Sequence, residues 1–139
     1  MKTFIASLIV LALLLIGINV YTRYLESTIN DISEQVKSVS EAAYKKDWED
    51  CKGKVKKLVN IWSKKEPVLA MFNDHEDVDN IKLSINKLKE SILHENYEET
   101  FKCLGETNIL LDRIKKNSTL TLENILSLAQ FGALCHIML

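Results

Sequence analysis

Proline occurs once and glycine four times in 139 residues, which leaves too few chain-breaking residues for a turn-rich β-sandwich or a disordered linker. Cysteine occurs three times, too few and too odd for a disulfide scaffold. No charge excess exists either: 18 Lys and Arg face 19 Asp and Glu, for a formal charge of -1. A nucleic-acid binder would usually be strongly basic, so no nucleic-acid partner is expected. The glycine-rich phosphate loop, G-x-S-x-G, H-E-x-x-H and the dinucleotide glycine pattern are all missing. Neither an enzyme nor a bound cofactor is expected. The length suits one domain plus segments outside its core. What the chain does have is 47% apolar residues, and they are unevenly spread.

From Phe4 to Tyr21 run eighteen residues without a charge, FIASLIVLALLLIGINVY. As a helix they reach about 27 Å at about 1.5 Å per residue, close to the thickness of a bilayer core. Residues 4–21 are therefore expected to lie in a lipid bilayer. Lys2 precedes the run, and Arg23 follows it, but Glu26, Asp31 and Glu34 come before the next Lys at position 37. That distribution favours a cytoplasmic N-terminus and a C-terminal part outside, in a single-pass protein of the cell membrane. A cleaved secretory signal is the alternative. Ile18, Asn19, Val20, Tyr21, Thr22 and Arg23 offer no small-x-small cleavage pattern, which favours an uncleaved signal-anchor.

The remainder reads as helical. Ile29, Ile32, Val36, Val39 and Ala43 follow a 3-4-3-4 spacing that stripes one face of a helix. Trp48, Val55 and Trp62 recur at steps of seven in a second helix, with Leu58 and Val59 between them. Pro67 is expected to end that helix, making Glu66 to Asn73 a connector. Val78, Ile81, Ile85, Leu88 and Ile92 stripe a third helix, and Tyr97, Leu104 and Leu111 a fourth. The expected fold is all-α: an N-terminal transmembrane helix over 1–24, then an antiparallel bundle of about four helices over 25–126, built as two hairpins. An apolar C-terminal helix over 127–139 completes it, with Ser118 or Thr119 as the cap of a separate last helix. That tail suits core packing or an interface better than a membrane span.

Every position of the second pair of helices lies 49 residues after its counterpart in the first, and Asp47-Trp48 matches Asn96-Tyr97 as a helix cap. Duplication of a hairpin explains this. So does chance alignment of two heptad-regular hairpins, because 49 is a multiple of seven. Regular stripes of this kind also suit pairing between copies, so a homo-oligomer stays open.

Candidate chemistry concentrates in Asn73-Asp74-His75-Glu76-Asp77-Val78-Asp79. Asp74, His75, Glu76 and Asp79 form a candidate metal-ligand set, since carboxylates and an imidazole suit divalent cations. An acidic helix start, with carboxylates complementing the dipole and capping free N–H groups, explains the same residues. Trp48 and Trp62 read as core anchors rather than a ligand platform. Between Lys45 and Lys65 eight lysines face three acids, which reads as a solvated face partly neutralised by the third helix. Cys51 and Cys103 either clamp the two hairpins as a disulfide or stay buried as free thiols, and only geometry separates these.

The apolar N-terminal segment, Trp48, Trp62, the His75-Glu76-x-x-Asp79 helix start, Leu88 and Asn124-Ile125-Leu126 occur in an order and spacing that resemble domain of unknown function 4363. The similarity covers Lys2 to Leu126. The resemblance implies a small single-pass membrane protein of the kind found in spore-forming Gram-positive bacteria. Such proteins are often encoded beside a multi-pass membrane protein, so it also implies an accessory role. It supplies no functional residues. Members usually stop near Leu126, so the tail from Ser127 to Leu139 departs from the pattern. The function expected is that of a non-enzymatic, membrane-anchored interaction module for an integral membrane partner. The alternative is an extracytoplasmic domain that senses a ligand or metal ion.

Overall fold

The computed structural model of the chain describes the backbone from Lys2 to Ile137 and the side chains of residues 4–117. With so few breakers, long apolar stripes wind into four helices: α1 (Lys2–Tyr44), α2 (Trp48–Phe72), α3 (His75–Leu93) and α4 (Tyr97–Ile137). Each packs on two neighbours in cyclic order, α1 on α2 and α4, and α3 on α2 and α4. The linkers Lys45–Asp47, Asn73–Asp74 and His94–Asn96 are so short that successive helices must run antiparallel. The all-α bundle expected from the stripes is what forms.

The core holds most of the predicted stripes, but Tyr97 of α4 is 41% exposed, its ring 4.7 Å from that of Phe101. On α1 the core begins at Leu25 and takes in Ile29, Ile32, Val36, Val39 and Ala43; α3 answers with Val78, Ile81, Ile85, Leu88 and Ile92, all buried. Trp62 is buried as a core anchor, and Trp48 packs half-buried against the same cluster. No helix break separates the apolar run from the bundle: the 24/25 boundary lies within α1, and 126/127 within α4. Ser118 and Thr119 therefore do not start a new helix. From Glu106 to Phe131 the chain has neither Gly nor Pro, and nothing in its backbone chemistry stops α4 there. How the tail side chains pack lies outside the described residues.

The 49-residue offset persists in the turns, where heptad spacing has no control. In the first turn the Asp47 and Lys46 N–H groups donate to the Ala42 and Ala43 carbonyls at 3.1 and 3.0 Å. In the second, Asn96 and Glu95 donate to Ser91 and Ile92 at 2.9 and 3.1 Å. Both are Schellman C-caps, and both place a non-glycine residue in the left-handed region, Lys46 at φ 55 and Glu95 at φ 54. The next residue then caps the following helix: Asp47 Oδ1 accepts from Asp50 N–H and Asn96 Oδ1 from Glu99 N–H, each at 3.1 Å. The two turns are thus built alike, at the same 49-residue offset.

Pro67 does not end α2, which continues to Phe72; the connector shrinks from Glu66–Asn73 to Asn73–Asp74. Proline costs a helix interior roughly 3 kcal/mol, mainly through the lost bond to the carbonyl four residues back. Here Ser63 and Pro67 are both exposed, so water can solvate that carbonyl. Continuing the helix buries Leu69 completely, worth about 1.5–3 kcal/mol, and brings Phe72 and Asn73 onto α1. These gains offset the proline.

The α3–α4 interface contains a hydroxyl seam. Ser84 Oγ and Thr107 Oγ1 lie 2.8 Å apart, and Thr107 donates to the Cys103 carbonyl at 2.8 Å. One step of seven along, Thr100 donates to the Asn96 carbonyl at 2.7 Å and lies 3.0 Å from Ser91 Oγ, which donates to the Leu88 carbonyl at 2.8 Å. Every one of these hydroxyls is partnered, so the seam costs little to bury.

Candidate functional site at the anchor-facing end of the bundle

The apolar run makes α1 long and apolar enough to cross a membrane near the N-terminus: its most apolar window has mean hydropathy 2.5 and none of it is buried. Seventeen residues of bundle-free helix in water would leave a continuous apolar surface unsatisfied, which a bilayer would cover. Where this run ends, the bundle begins. Tyr21, its last residue, places its ring 4.5 Å from that of Phe72 and accepts a hydrogen bond from Asn73 Nδ2 at 2.7 Å. Asn73 also donates through Nδ2 to the Leu69 carbonyl at 2.9 Å, so one side chain closes α2 and fixes it to α1. One turn on, Lys65 Nζ lies 4.9 Å above the Tyr24 ring. Met71 and Phe72 stay 75% and 60% exposed.

The predicted ligand set starts at the same end but does not converge. Asp74 is the N-cap of α3, its Oδ1 accepting from Glu76 N–H at 3.0 Å. His75, Glu76 and Asp79 are exposed. Asp77 turns the other way, toward Arg113 at 3.6 Å and Asn117 at 3.1 Å, and ties α3 to α4. Among the described residues, no three His, Cys, Asp or Glu side chains come together in a way that would hold a metal ion. The geometry of these residues is that of an acidic helix start.

Two of the lysines between 45 and 65 are met by acids from the first turn of α2 and the second hairpin turn, rather than from the start of α3. Lys52 bonds Glu49 and Glu95, each at 3.0 Å, and Lys54 bonds Asp50 at 2.7 Å. Donating to Glu95 and, second, to Glu49 raises the Lys52 pKa, and donating to Asp50 raises the Lys54 pKa. Lys82 of α3 pairs back to Glu66 of α2 at 2.7 Å, which raises its pKa in turn. An open depression between α1 and α2 is lined by charges of both signs, among them Asp31, Glu34, Lys57 and Lys64. Cys51 and Cys103 are free and buried, and burial raises both thiols, with Asp50 and Glu99 adding to the effect. Thiols held protonated are poor nucleophiles. The Phe72–Tyr21 contact and the hydroxyl seam were missed from the sequence. Their signals are the uncharged stretch Pro67–Asn73 and the seven-residue steps Ser84/Ser91 and Thr100/Thr107.

A family model described as Domain of unknown function (DUF4363) matches residues 20–125, most of the chain and all of the bundle core. The chain belongs to this family. The match begins at Val20, so the apolar run lies almost wholly before it, and it ends at Ile125, which leaves the tail outside. No curated protein matches the chain, and no solved structure does.

Proposed function

We propose that this chain is a non-enzymatic accessory subunit, anchored in the cell membrane by residues 4–21 and docking its bundle onto an integral membrane partner. The observation that carries the reading is the unbroken α1, its first half apolar and uncovered and its second half buried in the bundle. Anchoring confines the bundle to two dimensions and raises its effective concentration near a membrane partner. The charge order around the apolar run supports a cytoplasmic N-terminus with the bundle outside. The mixed-charge depression between α1 and α2 offers a surface for a polar partner loop, and the apolar composition of the tail 127–139 suits a docking element.

Affinity purification of the tagged full-length chain from native membranes in mild detergent tests this. One multi-pass protein recovered near one-to-one, and lost when residues 127–139 are deleted without loss of the bundle's helical signal, is the expected result. Recovery of the bait alone overturns the docking reading. The sensing alternative then becomes the one to examine, by a divalent-cation thermal shift that His75→Ala should abolish.

A further inference from the structure

We propose that the α2–α3 turn is a second membrane contact: Met71 and Phe72 enter the interfacial layer of the bilayer that α1 crosses. The inference rests on the anchor reading of residues 4–21 and adds to it that the bundle stands on the membrane rather than swinging above it. Its basis is depth. Because α1 is one helix from Lys2 to Tyr44, the position of Tyr21 at the end of the uncharged run fixes the depth of whatever packs on Tyr21. Phe72 stacks on that ring at 4.5 Å, and Asn73 bonds its hydroxyl at 2.7 Å. The turn therefore sits level with the end of the span.

The turn's composition suits that level. Pro67 to Asn73 holds seven residues without a charge, flanked by Lys64, Lys65 and Glu66 on one side and by Asp74 on the other. Leu69 fills the core, so Met71 and Phe72, largely exposed, are not needed there. Through the Phe72–Tyr21 contact they extend the apolar surface of α1 sideways onto α2, and a patch continuous with a membrane span is covered by the same lipid. Aromatic side chains with polar partners, here Tyr21, Tyr24 and Phe72 beside Asn73 and Lys65, are the usual occupants of the membrane–water boundary. The acids from Asp74 to Asp79 beside the turn oppose attraction to anionic headgroups. The contact is apolar, and neutral lipid suffices for it.

The test uses the full-length chain in phosphatidylcholine vesicles with acyl chains brominated near the headgroup. A single tryptophan is placed at position 72 by Phe72→Trp with Trp48→Phe and Trp62→Phe. Its emission should shift to the blue and be quenched at least twofold relative to unbrominated vesicles. A single native Trp48, at the opposite end of the bundle, should not be quenched. A water-like, unquenched emission from position 72, while Leu13→Trp in the same background is quenched, overturns the turn contact and leaves the anchor intact. If the tryptophan at position 13 is unquenched too, the anchor reading itself fails and the turn contact with it. Should loss of Trp62 unfold the bundle, a nitroxide on Met71→Cys in a Cys135→Ser chain gives the same decision. Collision with oxygen exceeding that with a water-soluble nickel complex supports the contact, and the reverse order overturns it.

Discussion

Thr107→Val should destabilise the bundle more than Ser84→Ala, and the double variant should recover most of the difference. The order follows from the direction of the bonds. Thr107 has one hydroxyl proton and gives it to the Cys103 carbonyl at 2.8 Å, so across the 2.8 Å contact Ser84 is the donor and Thr107 the acceptor. Ser84→Ala deletes a donor and leaves the Thr107 hydroxyl still bonded, a loss of about 1 kcal/mol, the usual net value of one hydrogen bond. Thr107→Val keeps the shape but strands the Ser84 hydroxyl at 0% exposure, with only the Cys103 carbonyl at 3.5 Å in reach. Desolvation without a partner makes that cost about 1–3 kcal/mol. With both hydroxyls gone no buried group is stranded, and the double variant should lie within about 1 kcal/mol of the parent. Thermal unfolding of the full-length chain in mild detergent, followed by circular dichroism, reads this as shifts of roughly 3–6 °C per kcal/mol. Strictly additive losses, or a larger loss for Ser84→Ala, would refute the bond directions.

Pro67→Ala should stabilise α2 by about 1–2 kcal/mol, because the restored bond to Ser63 outweighs the greater freedom of the unfolded chain; a lower melting temperature would contradict this. Lys46→Gly should raise the melting temperature by relieving up to about 1 kcal/mol of left-handed strain, and Glu95→Gly should gain less, because it also removes the 3.0 Å pair with Lys52. Burial holds the Cys51 and Cys103 thiols above their ordinary value of 9.0, so the folded chain keeps these protons to higher pH than the unfolded one. Their contribution to stability is intact below about pH 9 and is lost as pH rises above it; denaturant unfolding at several pH values should show a shallower alkaline decline in the Cys51→Ala, Cys103→Ala double variant.

The buried stripes and the cap residues Asp47 and Asn96 were legible in the sequence because helical periodicity and short polar caps are local properties. Pro67 misled because the local cost of proline was weighed without Leu69 and Phe72, whose contacts with the rest of the bundle are not local. The Schellman turns were hidden because Lys46 and Glu95 stand where glycine would have announced them. The 49-residue offset, ambiguous along the helices, also holds for the hydrogen bonds and caps of the two turns. At the candidate site, Asp74 was recognisable as a cap, but the exposure of His75, Glu76 and Asp79, with Asp77 paired to Arg113, depends on how α3 packs. A helix long and apolar enough to cross a membrane was legible as an uncharged run, and its unbroken continuation into the bundle was not, since only α1 as a whole reveals it.

The anchored, outward-facing bundle is tested most directly by combining alkaline extraction of membranes with proteolysis of intact cells. The account predicts that the full-length chain stays in alkali-washed membranes, that deletion of residues 4–21 releases it, and that external protease removes the bundle. A full-length chain freed by alkali, or a bundle protected until the cells are opened, would contradict it.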